Sequence, residues 1–162
     1  MHPADRNDPR VATVIKAAAA AEVVIEPVSF DNETRTSADA AREIGCEVDL
    51  ICKSLIFECD GEPFLFLMSG SDLVDLSKAA AAAGVPKLER ADAERAKRHS
   101  GFSIGATPPF GHSRPLKVFI DKRLVDLGEV WASGGRTDTV FPISTADLVA
   151  VSGAIGADLR KS

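Results

Sequence analysis

Between Gly101 and His112 the chain reads Gly-Phe-Ser-Ile-Gly-Ala-Thr-Pro-Pro-Phe-Gly-His. Three glycines and two adjacent prolines in twelve residues neither continue a helix nor sit inside a central strand. Glycine lets the backbone come close to a ligand, and proline holds a loop without an ordering cost on binding. A short, stiff loop with exposed amides is suited to gripping a small polar group, although a rigid surface turn would carry the same residues. The second candidate is Lys53, in Cys52-Lys-Ser-Leu-Ile-Phe57. Strand alternation puts it on the face of Ile51, Leu55 and Phe57. A lysine on an apolar face needs a partner, a route to water or a task, and snorkelling at a strand end is the bland alternative.

Other chemistries fit poorly. Gly101-Phe-Ser103-Ile-Gly105 satisfies the Gly-x-Ser-x-Gly expression of serine hydrolases. That chemistry needs a strand before the serine and a helix after it. Here a helical segment precedes Ser103, and Thr-Pro-Pro blocks a helix behind it. His112 follows too closely to leave room for an intervening acid. There is no His-Glu-x-x-His, no Pro-Cys-x-x-Cys and no Walker loop, so no metal and no cofactor are expected. Cys52 alternates away from the Lys53 face and reads as a small core residue rather than a nucleophile.

The elements that must position these residues follow from caps and breakers. Asp8-Pro9 starts a helix that runs to about Glu22. Val23 to Phe30 is expected as a strand. Thr36 and Asp39 form a capping-box pattern for a helix closed by Gly45. Ile51–Cys59 and Pro63–Met68 read as a hairpin turning at Asp60-Gly61. Helices are expected over about Asp75–Ala83 and Asp92–His99, with a short strand at Val85–Leu88 between them. Leu116–Ile120, Val130–Ala132 and Val140–Phe141 supply further strands, the last two joined by a Gly134-Gly135 turn. Ser144 and Asp147 open a final short helix to about Val151. Helices and strands mix without regular β-α-β alternation, which predicts an α/β fold with a mixed, strongly curved sheet flanked by helices.

The chain has 162 residues, 45% of them hydrophobic and 27% charged, a size and balance that fit a single domain, 1–162, with its own core. No apolar run reaches membrane-spanning length, and the polar start lacks a secretory apolar stretch. The three cysteines, Cys46, Cys52 and Cys59, are an odd number without a Cys-x-x-Cys pair, which favours a reducing cytoplasm over a disulfide framework. A net charge of −5 is awkward for a nucleic-acid binder. Lys87, Arg90, Arg95, Lys97 and Arg98, followed by Arg114, Lys117, Lys122 and Arg123, nevertheless offer a local basic rim able to grip an RNA end. A solvated helix face explains 87–98 equally well.

Taken in order, Thr36–Gly45, Cys52–Phe57, Gly101–His112, Val130–Arg136 and Phe141–Leu148 resemble the YbaK/prolyl-tRNA synthetase-associated editing domain family, over roughly residues 30 to 155. The resemblance implies a partly barrel-like sheet and a free-standing aminoacyl-tRNA deacylase, acting on tRNA(Pro) charged with a small wrong amino acid. Lys53 falls on the family's strand lysine, which faces the 3′-terminal ribose or phosphate and stabilises charge on the ester. Gly105-Ala-Thr-Pro-Pro109 matches the family's Gly-x-x-x-Pro loop, whose backbone lines the aminoacyl pocket. Many relatives have glycine where Ala106 stands, and the extra methyl narrows the pocket in this reading. His112 stands where some relatives have glutamine. Ser133-Gly134-Gly135 matches a small-residue turn opposite the lysine, and Thr36 lies at a substrate-facing helix start. The implied partners are the 3′ end of aminoacyl-tRNA and prolyl-tRNA synthetase. The alternative is a non-catalytic RNA-binding or regulatory module on the same fold.

Overall fold

Local signals in the chain account for most of its elements. A computed structural model describes all residues, Met1–Ser162. In order they form β1 (His2–Pro3), α1 (Pro9–Ala20), β2 (Val28–Ser29), α2 (Ser37–Ile44), a 3-10 turn (Val48–Leu50), β3 (Cys52–Cys59) and β4 (Glu62–Ser69). There follow α3 (Leu76–Ala83), β5 (Glu89–Arg90), α4 (Ala93–Ser100), β6 (Lys117–Asp121), α5 (Lys122–Asp126), β7 (Glu129–Arg136), β8 (Thr139–Ser144), α6 (Thr145–Ser152) and β9 (Ile155–Ala157). The caps are those expected. Thr36 accepts from the Asp39 amide while the Asp39 carboxylate accepts from the Thr36 amide, and Asp8, Asp75, Asp92 and Ser144 cap their own helices. No helix is long and apolar enough to cross a membrane.

The strands fall into two open sheets, one ordered β1-β2-β8-β7 and one ordered β5-β3-β4-β6-β9. The first is antiparallel throughout; in the second β4, β6 and β9 run parallel and the other pairs antiparallel. The α/β class and the mixed pairing hold, but the single, strongly curved, partly barrel-like sheet does not. Between β3 and β7 the sheets meet at one parallel bridge, Ile51 to Trp131, and no ladder continues from it. The unclosed seam becomes the cleft described below.

The main core lies between the sheets. Cys52, Ile56, Leu65, Leu67 and Ile120 from one pack against Val130, Ala132, Phe141 and Ile143 from the other, with Val14 and Ala18 of α1, Ala96 of α4 and Leu148 of α6. On the outer face of the five-stranded sheet, Phe57, Phe64, Phe66, Met68 and Phe119 meet Ala79 and Ala80 of α3. Phe66 stacks on Phe119 at 5.4 Å between ring centroids. The run Phe64-Leu-Phe-Leu-Met68 therefore alternates between two cores, as a central strand buried on both faces should.

Three expectations change in detail. Only Val28–Ser29 of the segment 23–30 pairs as a strand; Pro27 lacks an N–H for any ladder, and its carbonyl accepts from Ala4 instead. The short strand after α3 is Glu89–Arg90, paired with Phe57 and Glu58, rather than Val85–Leu88. The β7–β8 turn lies at Thr137-Asp138. Gly134 and Gly135 sit inside β7, where the register slips between Ser133 and Arg136.

Candidate functional site

Strand β3 pairs with β4 over its whole length, but its other edge is incomplete. Ile51 bridges to Trp131 at one end, and Phe57 and Glu58 meet β5 at the other. The edge from Lys53 to Leu55 has no strand neighbour and faces a cleft of about 660 Å3, within the range of sites that hold drug-sized ligands. The opposite wall is β7, from Trp131 to Ser133. The N-terminal turn of α2, the Ile104–Thr107 loop and Leu73-Val74 also contribute to the lining.

Lys53 lies in this wall as alternation placed it, half-buried on the side of Leu55 and Phe57. Its Nζ donates to the Asp72 carbonyl. Burial holds its pKa below the ordinary lysine value; the Asp72 charge acts against that shift and the Arg90 charge with it. Cys52 is fully in the core, and burial pushes its thiol up to about 12, so no thiolate is available there.

Gly105 lines the cleft with φ +83°, a conformation that L side chains rarely adopt, and a Cβ there would meet nothing within 4 Å. Its loop is held from beneath. Ala106 N–H donates to the Ser103 carbonyl at 3.0 Å, and Ser133 Oγ on β7 donates to the Ala106 carbonyl at 2.9 Å. The second bond ties the two sequence blocks together across the cleft floor. Ser133 also accepts from the Gly135 amide at 3.2 Å. Ser103 follows α4 and leads into no helix, so the elbow of a serine hydrolase is absent.

Of the site residues expected from the sequence, Thr36, Lys53, Gly105 and Ser133 share this one lining. Ala106 and Pro109 are buried under the loop and do not line it. Gly134 and Gly135 lie within β7 and do not line the cleft. A Cβ at Gly134 would lie 2.8 Å from Thr139 Cγ2, and one at Gly135 would lie 3.0 Å from the Arg10 carbonyl. These glycines serve close packing, of β7 on Thr139 and on α1. His112 points elsewhere too. Its Nε2–H donates to the Pro108 carbonyl at 2.7 Å, and burial lowers its pKa. That bond braces the loop and leaves no base in the cleft.

The sequence did not single out the cleft's electrostatics. Arg35, Lys53, Arg90 and Arg136 all line it, and no Asp, Glu or His does. A chain of net charge −5 thus concentrates cations in this cleft. Arg136 is fixed by Asp138, with Nε 2.8 Å from Oδ1, and by Asp8 at the start of α1, 2.8 Å away; the same bonds hold its pKa above the usual arginine value. Arg35 and Arg90 form no ion pair and stay free for a ligand. Of the expected rim, Arg90 thus reaches the cleft, whereas Lys87, Arg95 and Arg98 pair with Glu89, Glu58 and Glu94. No group of three or more His, Cys, Asp or Glu side chains converges as metal ligands would.

This arrangement suits an anionic ligand with a polar reacting end. Residues 31–151 match the family model of the aminoacyl-tRNA editing domain. The chain belongs to that family. Over 117 residues it is 30% identical to a proline–tRNA ligase of Elusimicrobium minutum, covering 70% of this chain but only 20% of the ligase. It thus spans about a fifth of such ligases. An uncharacterized protein of Bacillus subtilis, YwhH, is 24% identical over 120 residues and is covered over 76% of its length. A crystal structure of "a putative trans-editing enzyme for prolyl tRNA synthetase" superposes with a TM-score of 0.88 at 36% identity, covering 96% of this chain and 99% of that one. Within the editing-domain family, the cleft between β3 and β7 is the candidate active site.

Proposed function

We propose that this editing domain acts in trans as an aminoacyl-tRNA deacylase, hydrolysing the ester that joins a small wrong amino acid to the terminal adenosine of tRNA(Pro). The observation that carries the proposal is the cleft itself, where Lys53, Gly105 and Ser133 share a lining that holds four cations and no carboxylate. The near full-length likeness to a free-standing chain supports action in trans. In this reading residues 1–162 work as one domain, because α1 packs on β7 and its Asp8 holds Arg136.

The chemistry follows from what lines the wall. The Lys53 ammonium faces the ribose or phosphate of the terminal nucleotide and stabilises negative charge as it develops on the ester. Backbone around Gly105 holds the carbonyl oxygen or the attacking water. With neither carboxylate nor histidine in the lining, and with Cys52 protonated, no side chain there serves as general base. The hydroxyl vicinal to the ester takes that role. Water adds to the carbonyl carbon, a proton passes through the vicinal hydroxyl to the departing ribose oxygen, and the C–O bond breaks to release the amino acid. Positioning and fixed charge suffice for much of the barrier of an activated ester. Discrimination is by size: proline is excluded and smaller side chains enter. Prolyl-tRNA synthetase is the proposed source of the substrate.

The test is a panel of alanyl-, cysteinyl-, seryl-, threonyl- and prolyl-tRNA(Pro) incubated with purified protein. Hydrolysis of at least one small wrong ester with prolyl-tRNA spared is the expected result. Binding without hydrolysis across the panel would overturn the deacylase proposal in favour of an RNA-binding module.

A further inference from the structure

Just behind the cleft wall, Lys53 has beside it a carboxylate that it does not pair with. Its Nζ bonds the main-chain carbonyl of Asp72, while the side chain of that residue is engaged elsewhere, Oδ2 lying 2.8 Å from Arg123 Nη1. The other terminal nitrogen of Arg123 pairs with Asp49 in the 3-10 turn. The Asp72 side chain is only 14% exposed, so its charge is weakly screened by water and is felt at Lys53. With Arg123 removed, the Asp72 carboxylate loses its ion-pair partner beside a half-buried Lys53 ammonium that already bonds the Asp72 main chain and feels its charge. An ion pair between them would consume the charge that the proposed reaction needs.

The loop that carries Asp72 does not depend on Arg123 for its path. Ser69 Oγ donates to the Asp49 carbonyl at 2.8 Å, Gly70 N–H to the Ile51 carbonyl at 2.7 Å, and Lys161 N–H to the Leu73 carbonyl at 2.8 Å. Gly70 is also packed too closely for a side chain, since a Cβ would lie 2.7 Å from the Val48 carbonyl. Arg123 is fixed in turn at the start of α5, where Asp121 accepts from its amide at 3.1 Å. The guanidinium therefore controls where the Asp72 carboxylate points and leaves the backbone path to other bonds.

We infer that Arg123 is a positioning residue for Lys53, holding the Asp72 carboxylate away so that the ammonium stays available to the substrate. This rests on the role proposed above for Lys53.

A double-mutant cycle tests it by single-turnover deacylation at saturating enzyme, with thermal melting of every variant. Arg123→Met should slow the chemical step about tenfold or more when Asp72 is present, within the coupling expected of charges in contact. In the Asp72→Asn background the same substitution should cost less than about threefold, because no carboxylate remains to capture Lys53. Arg123→Lys, which keeps the charge, should restore most of the rate. Equal losses in the two backgrounds would overturn the inference and leave Arg123 a purely structural tie. If Arg123→Met melts, Arg123→Gln enters the same cycle, keeping an amide donor for Asp72 and lacking the charge. Full activity of Lys53→Ala would defeat the underlying reading, whereas an inactive Lys53→Ala with no rescue in the cycle would defeat only this inference.

Discussion

The loop that carries Gly105 leaves the C-terminus of α4, and a polar cluster centred on buried Glu58 ties α4 to β3. His99 Nε2–H donates to Glu58 Oε2 at 2.6 Å, and Arg95 Nε–H donates to Oε1 at 2.8 Å. The Glu58 side chain is 7% exposed and that of His99 11%. His99→Ala removes a buried hydrogen bond to a charged acceptor, worth about 1.5–3 kcal/mol, and leaves a hole the size of the ring. Two features moderate the loss. Arg95 still compensates the carboxylate, so the roughly 3–5 kcal/mol of a buried charge left without a partner is not reached. The substitution also removes His99 Nδ1, a buried nitrogen without a hydrogen-bond partner. A destabilisation of about 2–3 kcal/mol is expected, or a fall in Tm of roughly 5–10 °C for a chain of this length. The acid limb adds a second check. Burial alone would raise the Glu58 pKa, but the bonds from His99 and Arg95 outweigh it and hold the value below the ordinary one. A carboxylate with a lowered folded pKa stabilises fully above its unfolded pKa and loses that contribution as pH falls through the folded one. Urea titrations should therefore show a constant gap between wild type and His99→Ala near neutrality, narrowing below about pH 4.5. A loss under about 1 kcal/mol, or a gap that persists unchanged in acid, would refute the reasoning.

Gly135→Ala places a Cβ 3.0 Å from the Arg10 carbonyl and 3.1 Å from Phe102 Cε1 at a φ of +102°, so urea unfolding should show a loss of about 1–3 kcal/mol; a change below about 0.5 kcal/mol would contradict the packing described. Ala106→Gly should leave the ratio of rates among small aminoacyl esters within about twofold, because Ala106 is buried outside the lining; a shift toward the ten- to two-hundred-fold that one methyl-sized difference allows, roughly, would show that it shapes the pocket after all. Arg90→Ala should raise KM with little change in kcat, and should reduce the slope of log affinity against log salt by about 0.7, the loss of one single-strand phosphate contact. An unchanged slope would place Arg90 outside the RNA path.

Capping chemistry made much of this fold legible. Thr36 with Asp39, and Asp92 ahead of Gly101, mark helix ends by local hydrogen bonds that need no tertiary context. Asp60-Gly61 marked the β3–β4 hairpin, with φ +49° and +81° at the two positions. Local signals failed where two structures share one signature. Gly134-Gly135 reads as a hairpin turn, yet it is an in-strand irregularity that admits Arg10 and Thr139. Sheet closure was equally invisible, because the gap between β3 and β7 depends on how two distant strands diverge after Ile51 and Trp131. The cleft's charge was the largest omission. Arg35, Arg90 and Arg136 look like solvated loop and rim residues, and only the tertiary fold brings them to Lys53. Arg136 did stand in a motif that the resemblance quoted, but its type alone did not separate a cleft cation from a surface one.

The central claim is that the charge of Lys53 in this cleft carries deacylation. Single-turnover hydrolysis of mischarged tRNA(Pro), bearing whichever small amino acid the wild type removes fastest, measures it most directly when wild type and Lys53→Ala are compared. Circular dichroism and Tm establish that the variant is folded. The account predicts a rate loss of about 10²–10³, the scale for removing one fixed group that stabilises developing charge. A folded Lys53→Ala that turns over at close to the wild-type rate would contradict it.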